Sequence, residues 1–361
     1  TVFPGFTAPK LEWVRGHEPE IHARIAKVLL PASYLNLHLT GDHFADMSDA
    51  AGASWLDVAA RSWSPALLAK GGIRPDQAPR LVEGSAPGGT LRPELARRWG
   101  LAGEVVVAGG AGDNAAAACG IGALSEGTGF VSLGTSGVVL AARGSCAPAP
   151  ETAVHTFCHA VPGRWFQMSV MLSATDSLNW LASIVGRRPG DLAAAVDGEL
   201  RTPGPVRFLP YLSGERTPHN DPHIRGAFIG LGRDATLEDM TRAVMEGVAF
   251  GLRDGAEALK ATGARLDRLF LIGGGGASRY WARMVATLFG APLDLPAGGE
   301  FGAARGAARL GLCAATGASP EAVMTPPGTA ETIAPEAALT GAFEAGYAAF
   351  RAAYPAIRGV Q

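Results

Sequence analysis

Lysine is scarce in this chain, and the few lysines that occur exclude one large class of nucleotide-binding proteins. Of the 361 residues only four are lysine, so nearly all of the positive charge is arginine. None of the four follows a Gly-x-x-x-x-Gly turn, so the phosphate-binding loop of P-loop ATPases is absent from the sequence. The net charge is −2 at pH 7 and the basic residues are scattered. This pattern predicts neither a nucleic-acid-binding surface nor a membrane-binding one.

Cysteine is also sparse, and long apolar runs are missing. The four cysteines show no Cys-x-x-Cys spacing, so we expect neither a structural zinc site nor a disulfide framework, and we assign no metal ligands. Cys119 lies in an alanine-rich segment and is most simply a small buried apolar residue. The sequence contains no run of 18 apolar residues and no signal peptide, which favours a cytoplasmic protein.

A nicotinamide-binding motif is lacking as well. The predicted strand Leu266–Ile272 leads into four glycines, but a Gly-x-Gly-x-x-Gly/Ala pattern that starts at Gly273 ends on Ser278. No acidic residue closes a second strand at the usual distance either. The strand and its glycine turn still allow a nucleoside to approach the backbone closely, because glycine has no Cβ to obstruct it.

The most informative segment is 105–143, which contains two strand-to-turn units. The first is the apolar strand Val105–Ala108, followed by three glycines and by Asp113 at the start of an alanine-rich helix. The second is the strand Phe130–Leu133 with the turn Gly134–Gly137, after which a third strand should complete a hairpin. A carboxylate at a strand-to-helix turn can act as a base, and a Gly-Thr-Ser-Gly turn offers N–H groups and hydroxyls to phosphate. We therefore predict a phosphoryl-transfer site made from these two turns.

Apolar spacing and capping residues predict several helices. Four apolar residues spaced 4, 3 and 1 predict a helix over 19–30, which Pro31 would end. The longest predicted helix covers 236–261 and is opened by a Thr-Leu-Glu-Asp capping box. A final helix is predicted over 335–354, and we attribute its aromatic stripe to packing.

A polar patch in the segment 46–68 is open to two interpretations. Asp46, Ser48 and Asp49 precede several small residues there. These side chains could cap backbone groups in a tightly packed turn, which is the simpler interpretation. Alternatively, they form the wall of a cleft for a polar ligand.

A set of motifs gives the chain a resemblance to a known family. They are, in chain order, PGFTAPKLEWV (4–14), SDAAGASWLDVA (48–59), AGDNAA (111–116), SLGTSG (132–137), MLSATDSLNWL (171–181), FLPYLSGERTPHN (208–220) and IGGGGASRYW (272–281). Over nearly its whole length the chain resembles the FGGY carbohydrate kinases of the sugar kinase/actin-like superfamily. PGFTAPKL and FLPYLSGERTPH are the most specific of these motifs and indicate the branch that phosphorylates xylulose.

The resemblance implies an α/β fold of the sugar kinase/actin-like (ribonuclease H-like) type, with two domains and a cleft between them. We expect the sugar-binding domain over 1–125 and the nucleotide-binding domain over 126–361. The implied reaction is ATP-dependent phosphorylation of D-xylulose to D-xylulose 5-phosphate, with Mg²⁺ accompanying ATP. A homodimer is also compatible with the resemblance.

Site residues are implied position by position. Asp113 would be the catalytic base on the 5-hydroxyl of the sugar, and Asn114 would hydrogen-bond the sugar beside it. Gly134, Thr135 and Ser136 would form a phosphate-binding turn. The simpler alternative is that Asp113 only caps a helix and that the glycine turns are features of the fold.

Further residues are implied at the nucleotide and in a signature loop. The nucleotide pocket would be lined by Gly275, Gly276, Ala277 and Ser278, together with Thr175 and Asn179. Glu215, Arg216 and His219 belong to the signature loop, and the resemblance gives them no chemical step. Arg216 could contact phosphate or hold the loop in place, and both alternatives stay open.

The chain departs from the family pattern at its start. Family members begin with a β-hairpin that bears an Asp-x-Gly-Thr-type phosphate turn, and a sugar-contacting Met-His pair follows. Both features would precede the segment with which this sequence opens, so we expect a truncated first domain and a poor kinase. Two other functions stay open: another kinase of the family, acting on ribulose, gluconate or glycerol, and a non-catalytic nucleotide-binding or interaction fragment.

Overall fold

The structure is a computed structural model that describes residues 2–297 and 302–360. Its α-helices are α1 Thr7–His17, α2 Pro19–Ala23, α3 Pro31–Thr40, α4 Met47–Ala50, α5 Pro65–Lys70, α6 Pro93–Arg98, α7 Asp113–Ile121, α8 Thr175–Val185, α9 Pro189–Ala195, α10 Leu237–Ala261, α11 Arg279–Phe289, α12 Gly302–Thr316, α13 Pro320–Val323 and α14 Thr340–Arg358. Its strands are β1 Phe44–Asp46, β2 Leu56–Asp57, β3 Ser62–Trp63, β4 Arg80–Val82, β5 Pro87–Thr90, β6 Val106–Ala108, β7 Gly127–Leu133, β8 Gly137–Arg143, β9 His155–Cys158, β10 Trp165–Met171, β11 Arg207–Leu209, β12 Ala227–Ile229, β13 Leu266–Ile272, β14 Leu293–Pro296 and β15 Thr329–Ile333.

A mixed sheet of seven strands forms the centre of the second half of the chain. Its strand order is β15-β14-β13-β7-β8-β10-β9. Strands β14, β13 and β7 are parallel, and the remaining neighbours are antiparallel. The predicted hairpin is confirmed, because Phe130 pairs with Leu140 and Leu133 pairs with Gly137 across β7 and β8. Since β7 and β13 are parallel neighbours, the glycine turns that follow them emerge at the same edge of the sheet.

Side chains from this sheet are buried on both faces. Val131 and Leu133 of β7 pack on one face, in a core that also includes residues of α8, α10, α11 and α14. Phe130 and Leu140 pack on the other face, against residues of α7 and α12. Each of these side chains is almost fully buried, and burial of one such side chain contributes roughly 1.5–3 kcal/mol. The period-two alternation therefore fixes the register in which the two glycine turns meet.

The predicted capping box at the start of the longest helix is confirmed. The Thr236 hydroxyl accepts from the N–H of Asp239, and the Asp239 carboxylate accepts from the N–H of Thr236. Cys119 of α7 is also as predicted, because it has no exposed surface and burial raises the pKa of its thiol to about 12.

The segment that precedes α7 is built from shorter elements. β1 pairs in parallel with β4, and β2–β3 and β5–β6 are antiparallel pairs. The Arg61 side chain connects this segment to the large sheet. Its guanidinium pairs with Glu83 at 2.6 Å and donates to the carbonyl oxygen of Arg164, next to β10, at 2.8 Å. This partly buried contact holds the short elements, and with them the turn before α7, against the sheet.

The predicted helix over 19–30 is wrong in its second half, because α2 ends at residue 23. The Gln77 side chain donates to the carbonyl oxygen of Ile25 at 2.7 Å, and the Gln77 carbonyl accepts from the N–H of Val28 at 2.9 Å. These long-range bonds replace helical ones in the segment 24–30. Pro31 begins α3 instead of ending a helix, as its ring suits the first helical position.

The final helix begins later than predicted and continues past its expected end, as α14. Its aromatic stripe is a packing feature as predicted, because Phe343 and Phe350 are buried and the Tyr347 hydroxyl donates to Asp254. Within residues 2–297 and 302–360, no helix has the length and apolar character needed to cross a membrane.

Candidate active site

Asp113 is the first residue of α7 and follows the glycine turn after β6. Gly110 in that turn has φ +88°, a conformation that glycine adopts without strain. The Oδ1 atom of Asp113 accepts from the backbone N–H of Asn114 at 2.7 Å and from its side-chain amide at 3.0 Å. Among the described residues, Oδ2 accepts no hydrogen bond. The exposed carboxylate therefore has one oxygen held by Asn114 and one oxygen available to a ligand.

Asp113 and Asn114 line a cavity of about 360 Å³. Its wall also includes Ser132 and Gly273, at the ends of β7 and β13, and Arg305 on α12. In the described part of the chain, Asp113 is the one carboxylate and Arg305 the one cation in this lining. A base and a positive charge beside two strand ends suit a phosphoryl group, whose negative charge needs stabilisation while a nearby hydroxyl loses its proton.

The turn Gly134–Gly137 packs against the N-terminus of α8. The N–H of Thr175 donates to the Gly134 carbonyl, and the N–H of Ala174 donates to the Thr135 carbonyl, each at 2.9 Å. Thr135 and Ser136 are exposed, and within the described residues their hydroxyls make no hydrogen bond. These two hydroxyls are therefore free to contact a ligand.

The two glycine turns touch each other at Gly273. This residue has φ +90°, and a Cβ atom added there would lie 2.7 Å from the carbonyl carbon of Leu133 and 3.0 Å from the Gly134 nitrogen. Any other residue would therefore be strained at this position and would also clash with the backbone. The close approach brings the turn after β13 onto the turn after β7.

The glycine turn after β13 also lines a second cavity, of about 420 Å³, between α8, α9 and α11. Leu178 and Trp281 give this cavity an apolar wall, and Asp197 contributes a carboxylate. Size and lining suit a nucleoside. Its lining contains five of the predicted nucleotide-binding residues, namely Thr175, Asn179, Gly275, Ala277 and Ser278.

Asp46 and Ser48 support the turn that carries Asp113. The Asp46 carboxylate caps α4 by accepting from the N–H groups of Ser48 and Asp49, at 2.8 and 3.1 Å. The Ser48 hydroxyl donates to Asp46 and accepts from the N–H of Gly112 at 3.0 Å. The polar patch therefore caps backbone groups, as the simpler interpretation predicts, and it also reaches the candidate site.

Two carboxyl groups near this turn, those of Asp46 and Asp49, have raised pKa values. Burial raises the pKa of Asp49 to about 7, and the negative charges of Asp46 and Asp113 add to the effect. Burial also raises the pKa of Asp46, although its hydrogen bonds to Ser48 and Asp49 oppose the shift. Asp49 can therefore change its charge near neutral pH while it lies beside Asp113.

The signature loop contributes no side chain to either large cavity among the described residues. Glu215 is buried, accepts from two backbone N–H groups, and has its pKa raised to about 8 by burial. The Arg216 guanidinium lies 4.7 Å from the ring centroid of Phe3, which favours the holding role over a phosphate contact. His219 stacks on Tyr354, and burial lowers its pKa to about 4.

The predicted site residues form three neighbouring groups. Asp113 and Asn114 line the first cavity, five nucleotide candidates line the second, and the phosphate turn adjoins both through Gly273 and α8. Gly276 is buried under its turn and does not line the second cavity. The roles of all these residues stay predictions. Sequence reasoning did not single out Arg305 or Asp197, which no motif marks.

Two profiles of one family match the chain. The profile described as "FGGY family of carbohydrate kinases, N-terminal domain" matches residues 1–120, and that of the C-terminal domain of the same family matches residues 129–315. The expectation of a truncated first domain is not supported, because the N-terminal profile matches from residue 1. The weak kinase activity expected for this chain stays a prediction.

Curated relatives of the chain include two bacterial enzymes. The chain is 51% identical over 316 residues to the xylulose kinase of Escherichia coli (strain K12), a match that covers 87% of this chain and 65% of the relative. It is 50% identical over 311 residues to the xylulose kinase of Klebsiella pneumoniae, covering 86% and 64%. The chain thus spans slightly less than two thirds of the length of these relatives.

The fold is shared with a solved structure. A crystal structure of a xyloylose kinase from Brucella ovis matches with a TM-score of 0.97 and 55% identity, over 99% of this chain and 74% of that one. The predicted two-domain α/β fold of the sugar kinase/actin-like type is thereby confirmed.

Proposed function

Since the chain belongs to the FGGY family of carbohydrate kinases, we propose that it transfers the γ-phosphoryl group of ATP to D-xylulose, giving D-xylulose 5-phosphate. The curated relatives named above, both xylulose kinases, support this substrate. The structural observation that supports the reaction most is the unpartnered Oδ2 of Asp113. Asp113 lines a cavity whose wall also includes the ends of β7 and β13.

In the proposed reaction Asp113 is the general base. The 5-hydroxyl oxygen of the sugar bonds to the γ-phosphorus, its proton moves to Oδ2 of Asp113, and the bond from phosphorus to the leaving ADP oxygen breaks. Asn114 holds Oδ1 through its two N–H donors, so that the carboxylate keeps one orientation. A positioned base of this kind contributes a factor of about 10²–10⁴ to the rate, and the remaining acceleration comes from positioning and charge stabilisation.

ATP would bind with its nucleoside in the 420 Å³ cavity and with its phosphates along the glycine turns that follow β7 and β13. The exposed hydroxyls of Thr135 and Ser136 and the backbone of Gly134 face the phosphates in this arrangement. Arg305, in the wall of the first cavity, supplies a positive charge near the transferred group. The glycine turns suit anions because they expose donors on a preformed backbone, and Arg305 suits them through its positive charge.

Mg²⁺ would enter with ATP and neutralise part of the phosphate charge. Within residues 2–297 and 302–360 there is no group of three or more His, Cys, Asp or Glu side chains that could hold a metal ion. Mg²⁺ commonly takes only one or two carboxylates and completes its shell with phosphates and water. The described residues place a single carboxylate, that of the proposed base Asp113, in the wall of the first cavity, so they fit a metal that is carried mainly by the nucleotide.

The substrate assignment is tested with a panel of sugars. ADP release is followed with ATP, Mg²⁺ and, in separate reactions, D-xylulose, D-ribulose, D-gluconate and glycerol. We expect the highest kcat/KM for D-xylulose. A higher value for another acceptor would keep the phosphoryl transfer but would contradict the sugar.

Calorimetric titration with ADP separates the kinase from a non-catalytic nucleotide-binding module. We expect ADP binding that is weakened when Ser278, in the wall of the 420 Å³ cavity, is replaced by a bulky residue such as Leu. ADP binding with no sugar-dependent turnover on the whole panel would favour the non-catalytic module.

A further inference from the structure

Asp113 and Asn114 also line a smaller recess, of about 70 Å³, on the side of α4. The remaining wall of this recess includes Asp49 of α4 and the aromatic rings of Phe157 and Phe166, on β9 and β10. A nucleotide needs a pocket several times larger, whereas one end of a sugar can enter. The recess therefore adjoins the proposed base and combines carboxylate and amide groups with an apolar wall.

Asp49 is the member of this wall that the proposed mechanism leaves without a role. Its neighbour Asp46 is satisfied, because it accepts from two N–H groups and one hydroxyl. The Asp49 carboxylate, in contrast, has no hydrogen-bond partner and no ion pair among the described residues. Its Oδ1 lies 3.6 Å from the position that a Cβ atom on Gly112 would occupy, so it adjoins the residue that precedes Asp113. A half-buried carboxyl group without a partner normally requires one.

The charged groups around Asp49 are few. Helix α4 packs against β1, β4 and β9, which carry Asp46, Arg80, His155 and Cys158 as titratable side chains. Arg80 donates to the Gly88 carbonyl, and burial keeps His155 and Cys158 uncharged at neutral pH, since it lowers the pKa of His155 to about 3 and raises that of Cys158 to about 12.

Asp46 and Asp113 are the charged groups that shift the pKa of Asp49. Together with burial they raise the pKa of Asp49 to about 7. Below that pH its carboxyl group can donate a hydrogen bond, and above it the carboxylate can only accept.

We propose that Asp49 is a second sugar-binding carboxyl group, which hydrogen-bonds a hydroxyl of the acceptor sugar inside the recess that it shares with Asp113. This inference rests on the proposed function and assigns part of its substrate contact. Phe157 and Phe166 pack against the C–H groups of the bound sugar, as aromatic rings do in sites of mixed polarity.

The test compares the Michaelis constants of both substrates in Asp49→Ala and Asp49→Asn. We expect Asp49→Ala to raise the KM for the sugar about tenfold or more, the effect of a lost hydrogen bond to a charged group. The KM for ATP should change less than about twofold, because Asp49 lines neither of the large cavities. Asp49→Asn keeps the shape and one hydrogen bond, so it should recover most of the sugar affinity. It should also lose the inflection near pH 7 that we expect in wild-type kcat/KM for the sugar.

Asp42→Ala is the matched control, because Asp42 is an exposed aspartate that lines none of the cavities described above. It should leave both Michaelis constants unchanged. An unchanged sugar KM in Asp49→Ala, or equal rises in the KM for sugar and ATP, contradicts the inference while the proposed function stands. Wild-type protein without sugar-dependent ADP release contradicts both.

Thermal unfolding of the variants shows whether they are folded. If the Asp49 variants do not fold, the pH dependence of the wild-type KM values still tests the role of Asp49. A sugar KM that changes near pH 7 while the ATP KM stays flat supports the role of Asp49, and a flat sugar KM contradicts it.

Discussion

The close packing of α7 against α12 predicts that Gly306→Ala destabilises the protein. A Cβ atom at Gly306 would lie 1.8 Å from the carbonyl oxygen of Ala116, and one at Gly120 would lie 1.9 Å from that of Gly302. Real Cβ atoms essentially never approach other heavy atoms within 3.0 Å. The clashing atoms belong to helix backbones, so the side chain cannot rotate away. Gly306→Ala therefore forces the two helices to move away from each other by roughly 1 Å.

The expected magnitude follows from two opposing terms. Overpacking of this kind costs about 1–3 kcal/mol, whereas alanine in place of glycine within a helix gains up to about 1 kcal/mol. Gly311→Ala, on the same helix, is the matched control because nothing lies within 4 Å of its added Cβ. We expect Gly306→Ala to lower the free energy of unfolding by about 1–2 kcal/mol, and Gly311→Ala to leave it unchanged or raise it slightly.

Urea-induced unfolding measures both variants directly. Because α7 begins with Asp113, a displacement of the helix should also reduce turnover, since about 1 Å of misplacement can cost two orders of magnitude in rate. Equal unfolding free energies for the two variants would refute this account of how α12 positions α7.

Three further predictions concern other contacts. Ser278→Ala removes the hydroxyl that accepts from the N–H of Trp281 at the start of α11, and should cost about 1 kcal/mol in urea unfolding. Arg61→Ala removes the ion pair with Glu83 and the hydrogen bond to the Arg164 carbonyl next to β10, and should cost about 2–4 kcal/mol by the same measurement. Burial raises the pKa of Glu246 from 4.5 to about 7, so the folded protein binds a proton that the unfolded chain releases. The free energy of unfolding therefore falls as the pH rises between these two values. Glu246→Gln should flatten this fall, measured by thermal unfolding between pH 5 and pH 8.

Elements with local signals could be predicted from the sequence. The hairpin of β7 and β8 follows from apolar residues around a Gly-Thr-Ser-Gly turn, and the start of α10 follows from its capping box. Both depend on residues within a few positions of each other. The grouping of Thr175 and Asn179 with the glycine turn after β13 came from the family resemblance, not from spacing.

Contacts between distant segments could not be predicted. The end of α2 is set by Gln77, which lies more than fifty positions after Ile25. The support of the Asp113 turn by Ser48 spans 64 positions, so the spacing of the polar patch could not distinguish a capped turn from a cleft wall. Arg305 lines the first cavity only because α12 packs on α7, and helical periodicity alone contains no such information.

The most direct test of the central proposal is D-xylulose-dependent ADP release by the wild-type protein and by Asp113→Asn. The substitution keeps the shape of the side chain and removes the proton acceptor, so kcat should fall at least about a hundredfold while ADP affinity is retained. Turnover of Asp113→Asn within a few fold of wild type would contradict Asp113 as the base.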